Sequence, residues 1–85
     1  MLYKQNYLLL LAQSGAKALE LMQQHDVHLI ISDMKMPAMS GAQLLKEVAT
    51  SYPKTYRILL TGYADMESTV DAVNKGKIHC LLQKP

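Results

Sequence analysis

The chain contains no tryptophan and no phenylalanine, and cysteine occurs once. No basic run occurs, and no apolar run is longer than Leu8–Ala12. Each shortage excludes something. With so few aromatics and no lysine- or arginine-rich stripe, the stacking platforms and phosphate-tracking faces of nucleic-acid binders are missing. Nine basic and seven acidic residues leave a formal net charge of +2, too balanced to draw the chain to nucleic acid or an anionic membrane. A lone Cys80 cannot close an intramolecular disulfide, which argues against a secreted scaffold and fits a reducing cytoplasm. Leu8–Ala12 is far too short to span a bilayer. With Lys4 ahead of it, the run has a faint look of a signal peptide, but Gly15 and a charged amphipathic stretch follow, so it reads as a strand. No Ser-His-Asp set in plausible context, cysteine motif or Gly-rich phosphate loop supports hydrolytic or redox chemistry.

What is present is a pattern. Eighty-five residues, 49% of them hydrophobic, make one domain with a marginal core. Tyr7–Ala12 is a continuous apolar run, the signature of a strand buried on both faces. Ser14 caps a helix whose Gly15, Ala18, Leu19 and Met22 share one face. Val27–Ser32 is a second buried strand. Ser40 and Gln43 have capping-box spacing, and Gly41, Leu44, Leu45 and Val48 repeat the helical stripe up to an exit at Pro53. Tyr56–Leu60 is a third strand. Asp65 caps a third helix with Met66, Thr69, Val70 and Val73 inward and Glu67 in its first turn, where it suits the helix dipole; Gly76 ends it. Ile78–Leu82 is a fourth strand. The order β-α-β-α-β-α-β predicts an α/β fold with a parallel sheet, right-handed crossovers and flanking helices.

In such sheets ligands sit beyond the carboxyl ends of the strands. Those ends carry Asp33, Thr61 and Lys84: a carboxylate, a hydroxyl and an ammonium. The trio suits phosphoryl transfer to a carboxylate, with Asp33 as nucleophile, Thr61 as hydrogen-bond donor and Lys84 as a point charge on a phosphoryl oxygen. A magnesium-type ion normally bridges carboxylate and phosphoryl group.

Three segments carry a family resemblance. Leu29–Gly41, reading LIISDMKMPAMSG, is similar to the phosphoacceptor segment of response-regulator receiver domains of two-component signalling. Leu59–Asp65 resembles the segment of their conserved hydroxyl, and Leu82–Pro85 their lysine–cis-proline segment. The resemblance covers essentially the whole chain, residues 1–85, as a single truncated receiver domain of flavodoxin-like, CheY-like fold. It implies that Asp33 is the phosphoacceptor, Thr61 the switch hydroxyl and Lys84 the phosphate-binding lysine. The implied metal, Mg2+, would be held by Asp33 and the main-chain carbonyl of Lys35. The implied partner is a histidine kinase or phosphotransfer protein, with no enzymatic activity beyond self-catalysed phosphotransfer onto Asp33.

The chain departs from the family in definite places. The first strand with its acidic pair, the first helix and the last helix have no counterpart here. Asp26 precedes its strand and lies at the wrong end of the sheet; Glu20, Glu47 and Asp71 lie along helices; Asp65 and Glu67 face solvent in the family. The expectation is therefore impaired phosphotransfer and weak or absent metal binding. The missing first strand normally lies between the two strands that come first here, so either these pair directly or another chain fills the gap. Uncovered apolar surface favours self-association. Leu81 stands where the family usually has a switching aromatic.

Plainer roles are assigned elsewhere. Met34, Met36 and Met39 read as loop packing, and His25, His28 and His79 as structural or solvated. Cys80 reads as core and Tyr63 as surface packing. The rivals to a phosphorelay module are a phosphorylation-independent interaction or dimerisation module, with dimers formed through exposed edges, and a non-functional fragment.

Overall fold

The computed structural model describes residues 2–4, 7–62 and 78–83. Their elements are strands β1 (Leu2–Lys4) and β2 (Tyr7–Ala12), helix α1 (Gly15–Gln24), strand β3 (Leu29–Asp33), helix α2 (Gly41–Ser51), and strands β4 (Tyr56–Thr61) and β5 (Cys80–Gln83). The third helix expected from the Asp65 cap to Gly76 lies outside the described residues, as do Tyr63, Lys84 and Pro85.

One five-stranded sheet holds these strands in chain order, β1-β2-β3-β4-β5. β2 to β5 are parallel, as the alternation of strands and helices predicts. The open question about the two leading strands is resolved by direct pairing: Leu9 lies opposite Leu29, and Ala12 opposite Ser32. No gap remains between them. β1 was not foreseen; it runs antiparallel along the free side of β2, with Leu2 opposite Leu9, so β2 is not an edge.

Both described helices lie on the same side of the sheet, where the right-handed crossover rule puts them when successive strands step in one direction. Ser14 caps α1 by accepting a hydrogen bond from the Lys17 N–H. Ser40 caps α2 in a full capping box: its hydroxyl accepts from the Gln43 N–H, and Gln43 Oε1 accepts from the Ser40 N–H. These caps satisfy donors that a helix start leaves without intrahelical partners. Leu8, Leu10, Ile30 and Leu59 from the sheet meet Ala18, Met22, Leu44, Leu45 and Val48 from the helices to form the core.

The other side of the sheet corrects a prediction. β2 was expected to be buried on both faces, yet Tyr7 and Leu11 are exposed while Leu8, Leu10 and Ala12 are buried. A continuous apolar run does not say which faces receive helices. Here only one does among the described residues. Cys80, expected in the core, is half-buried and paired with Ile58, on the open side. The strand bounds also shift toward the carboxyl end: β3 includes Asp33, and β5 begins at Cys80.

At the amino edge of the sheet, two histidines act as structural pieces. The His28 N–H donates to the Leu8 carbonyl at 2.9 Å, and the Leu8 N–H donates back to His28 Nδ1 at 3.1 Å. His79 repeats this device on β4, donating to the Arg57 carbonyl at 3.0 Å and accepting from the Arg57 N–H through Nδ1 at 3.0 Å. Each ring nitrogen substitutes for a missing strand carbonyl. Arg57 is buried on the helix side, and its guanidinium donates to the Thr55 carbonyl at 3.0 Å and toward that of Pro53 at 3.4 Å.

Candidate functional site at the carboxyl edge of the sheet

Asp33 is the last residue of β3 and lies opposite Leu60 of β4. Thr61, the next residue, ends β4 and is fully buried. The structure thus brings two of the expected residues to the ends of adjacent strands. Strand alternation places them on different faces: Thr61 shares the helix side with Leu59, and Asp33 shares the open side with Leu29 and Ile31. Asp33 is half-buried overall, with Oδ1 shielded from solvent. The Thr61 hydroxyl donates to the Gly62 carbonyl at 3.2 Å. Lys84 lies outside the described residues. Lys35 is exposed in the loop that follows Asp33.

That loop, residues 34–40, is held at both ends. The Met34 N–H donates to the Leu60 carbonyl at 2.9 Å, which extends the ladder one step beyond Asp33. The Gly41 N–H donates to the Met34 carbonyl at 2.8 Å. The buried Ser32 hydroxyl contacts the Asp33 carbonyl at 3.0 Å and Met36 Sδ at 3.5 Å. Met34, Met36 and Met39 pack against the core, in keeping with their reading as loop packing. Within the loop, Ala38 has φ 68, and the Met39 N–H donates across it to the Pro37 carbonyl at 2.7 Å. This three-residue turn is costly for a residue with a Cβ.

Sequence reasoning assigned Gly41 to a helical stripe and to the end of the phosphoacceptor-like segment. Its place in the site is more specific. A Cβ on Gly41 would collide with the Asp33 carbonyl oxygen and approach both the Asp33 carbonyl carbon and Leu59 Cδ1 to 2.8 Å. Glycine therefore lets the start of α2 rest directly on the backbone of Asp33. The sequence signal for this is the Ser40-Gly41 pair at a helix start, which by itself gives no reason to expect close approach.

The donor set for a divalent cation is thin. Among the described residues, no three carboxylate, imidazole or thiol side chains gather to hold a metal ion. Asp33 and the Lys35 carbonyl supply two oxygens, against the several protein oxygens and waters such ions gather. Among the described residues, that is fewer donors than a dedicated magnesium site gathers.

An open parallel sheet with helices packed against it, and an acid at the carboxyl end of a central strand, defines a flavodoxin-like α/β domain. The comparisons carry this further. A family model described as the response regulator receiver domain matches residues 1–85, and the chain belongs to that family. It is 32% identical over 81 residues to the hydrogenase transcriptional regulatory protein HoxA of Cupriavidus necator, covering 95% of this chain and 17% of that protein. It is 36% identical over 72 residues to the uncharacterized transcriptional regulatory protein YesN of Bacillus subtilis, covering 85% of this chain and 20% of that protein. The chain thus spans about a fifth of the length of these curated relatives. Among solved structures, an uncharacterized protein from Neptuniibacter caesariensis superposes with TM-score 0.90 at 36% identity, over 98% of this chain and 79% of that one. The signal receiver domain of an HD domain-containing protein from Pseudomonas fluorescens gives TM-score 0.84 at 28% identity, over 100% of this chain and 81% of that one. Receiver domains are in general signalling modules phosphorylated by histidine kinases. No described helix is long and apolar enough to cross a membrane.

Proposed function

We propose that this chain is a cytoplasmic phosphoacceptor module in which Asp33 receives a phosphoryl group from a histidine kinase or phosphotransfer protein. The observation that supports this most is the position of Asp33 as the last residue of β3, beside the end of β4 that carries Thr61. An Asp33 carboxylate oxygen attacks the phosphorus of a phosphohistidine. The O–P bond forms as the P–N bond breaks, and the departing imidazole nitrogen keeps the electron pair and takes up a proton. Thr61 donates a hydrogen bond to a phosphoryl oxygen, and Lys84 neutralises another.

Mass spectrometry tests this directly. The chain is incubated with a small phosphodonor such as phosphoramidate, with and without magnesium, alongside an intact receiver. The expected result is gain of one phosphoryl group, abolished in Asp33→Asn. No gain on the wild-type chain while the control is fully modified defeats the reading, as does a gain that survives Asp33→Asn.

A further inference from the structure

Ser32 is a polar side chain in an apolar place. Strand alternation sets it on the helix side with Ile30, and its register partners are Ala12 and Leu59, all of them buried. Ser32 is itself fully buried. A hydroxyl taken from water into such surroundings costs free energy unless it finds an acceptor. An apolar residue, of the kind found at the neighbouring positions, would fill the core without that cost. The hydroxyl meets two acceptors, and both belong to the segment that begins at Asp33: the Asp33 carbonyl oxygen at 3.0 Å and Met36 Sδ at 3.5 Å. It has one proton to give, and the shorter contact is to the carbonyl.

That carbonyl is one end of the peptide unit that joins Asp33 to Met34. The other end, the Met34 N–H, donates to the Leu60 carbonyl at 2.9 Å. Gly41 rests against the same Asp33 carbonyl, so closely that a Cβ there would strike it. The peptide is thus held across the sheet by β4, from the start of α2 by Gly41, and from the core by Ser32. Of these three contacts, only the one from Ser32 is made by a side chain. The strand fixes the peptide plane before Asp33, and these contacts fix the plane after it. Together the two planes set the direction of the Asp33 Cα–Cβ bond, and with it the reach of the carboxylate.

We propose that Ser32 is a positioning residue for phosphoryl transfer: its hydroxyl holds the Asp33–Met34 peptide and so aims the Asp33 carboxylate at the incoming phosphorus. This role presupposes Asp33 as the acceptor. An in-line displacement requires the attacking oxygen to meet phosphorus opposite the leaving nitrogen, and a small misdirection of the nucleophile costs rate even where the fold is intact.

Two matched comparisons test it. Ser32→Ala removes the hydroxyl oxygen alone. Ser32→Thr set against Ser32→Val compares two side chains of the same shape, with and without a hydroxyl, so that any crowding is common to both. Each chain is incubated with phosphoramidate and magnesium, and the gain of one phosphoryl group is followed by mass spectrometry under conditions where circular dichroism shows every variant folded. The expected result is a rate about tenfold lower in Ser32→Ala than in the wild type, and lower by a similar factor in Ser32→Val than in Ser32→Thr. Met36→Leu removes the second acceptor and keeps the packing volume, and its rate should stay within about twofold of the wild type. A merely structural Ser32 would shift the urea midpoints and leave the rates of the folded chains alike. The proposal is overturned if Ser32→Ala matches the wild type or if Ser32→Val matches Ser32→Thr. It is also overturned if Met36→Leu slows as far as Ser32→Ala, because the effect then lies in loop packing. Should the Thr and Val variants fail to fold, the Ser32→Ala and Met36→Leu rates decide. A wild-type chain that takes up no phosphoryl group, or a gain that survives Asp33→Asn, sinks the phosphoacceptor reading and this role with it, whereas normal uptake in every Ser32 variant sinks only the role given to Ser32.

Discussion

The two faces of the sheet are built from the same strands, yet they live in different surroundings. On the helix side, Leu10, Ile30, Leu44, Leu45, Val48 and Leu59 are almost wholly removed from water. On the open side, residues of the same type one position along, such as Leu11 and Ile31, retain contact with solvent. Among the described residues the helix side is therefore the more deeply buried of the two. Hydrophobicity alone does not distinguish them; the covering helices do.

The sharpest way to break this comparison is a neighbouring pair in β3. Ile30→Ala, on the helix side, is expected to cost about 3–4 kcal/mol. Ile31→Ala, on the open side, is expected to cost about 1 kcal/mol. Urea unfolding of both variants measures the difference, and equal costs would show that the open face is covered in the folded chain. Gly41→Ala comes next, at about 2–3 kcal/mol, because the added methyl strikes the Asp33 backbone, which cannot give way as a side chain does. The same variant should accept phosphate more slowly than its lost stability explains, read by mass gain under fully folded conditions.

A smaller effect of opposite sign is expected at Ala38. Its φ of 68 favours glycine, so Ala38→Gly should raise stability by about 1 kcal/mol, seen as a higher urea midpoint. The smallest effect is the pH dependence from His79. Desolvation, followed by the nearby Arg57 charge, lowers its folded pKa below the ordinary 6.5. The unfolded chain therefore takes up this proton first as pH falls. The contribution is complete above pH 6.5 and declines below it, while the protonated ring loses its Nδ1 acceptor for the Arg57 N–H. Thermal melts from pH 7.5 to 5 should show a drop that is reduced in a His79→Gln variant.

Much of the helix side was legible because its signals are local. The Ser14 and Ser40 caps and the Gly41-Leu44-Leu45-Val48 stripe depend on residues a few positions apart, and the structure repeats them. The site was legible in part: Asp33 and Thr61 stand at the strand ends that motif and periodicity assign to them. What escaped notice depends on partners distant in sequence. β1 is three residues long and has no pattern of its own. The one-sided burial of β2 turns on where helices pack, which a continuous apolar run does not encode. The requirement for glycine at position 41 exists only because the Asp33 carbonyl lies beneath it. His28 and His79 were read as structural or solvated, and it took the strand register to show that they complete the ladder.

Spatial order follows chain order in this sheet, and this has a kinetic consequence. Each parallel strand finds its partner across one intervening segment, so no strand must be inserted between two others already paired. The sheet can grow in one direction like a zipper, each new pairing closing one crossover. Pairing β2 directly with β3 thus gives the chain a route to its native sheet in which every added strand docks on an edge that is already in place.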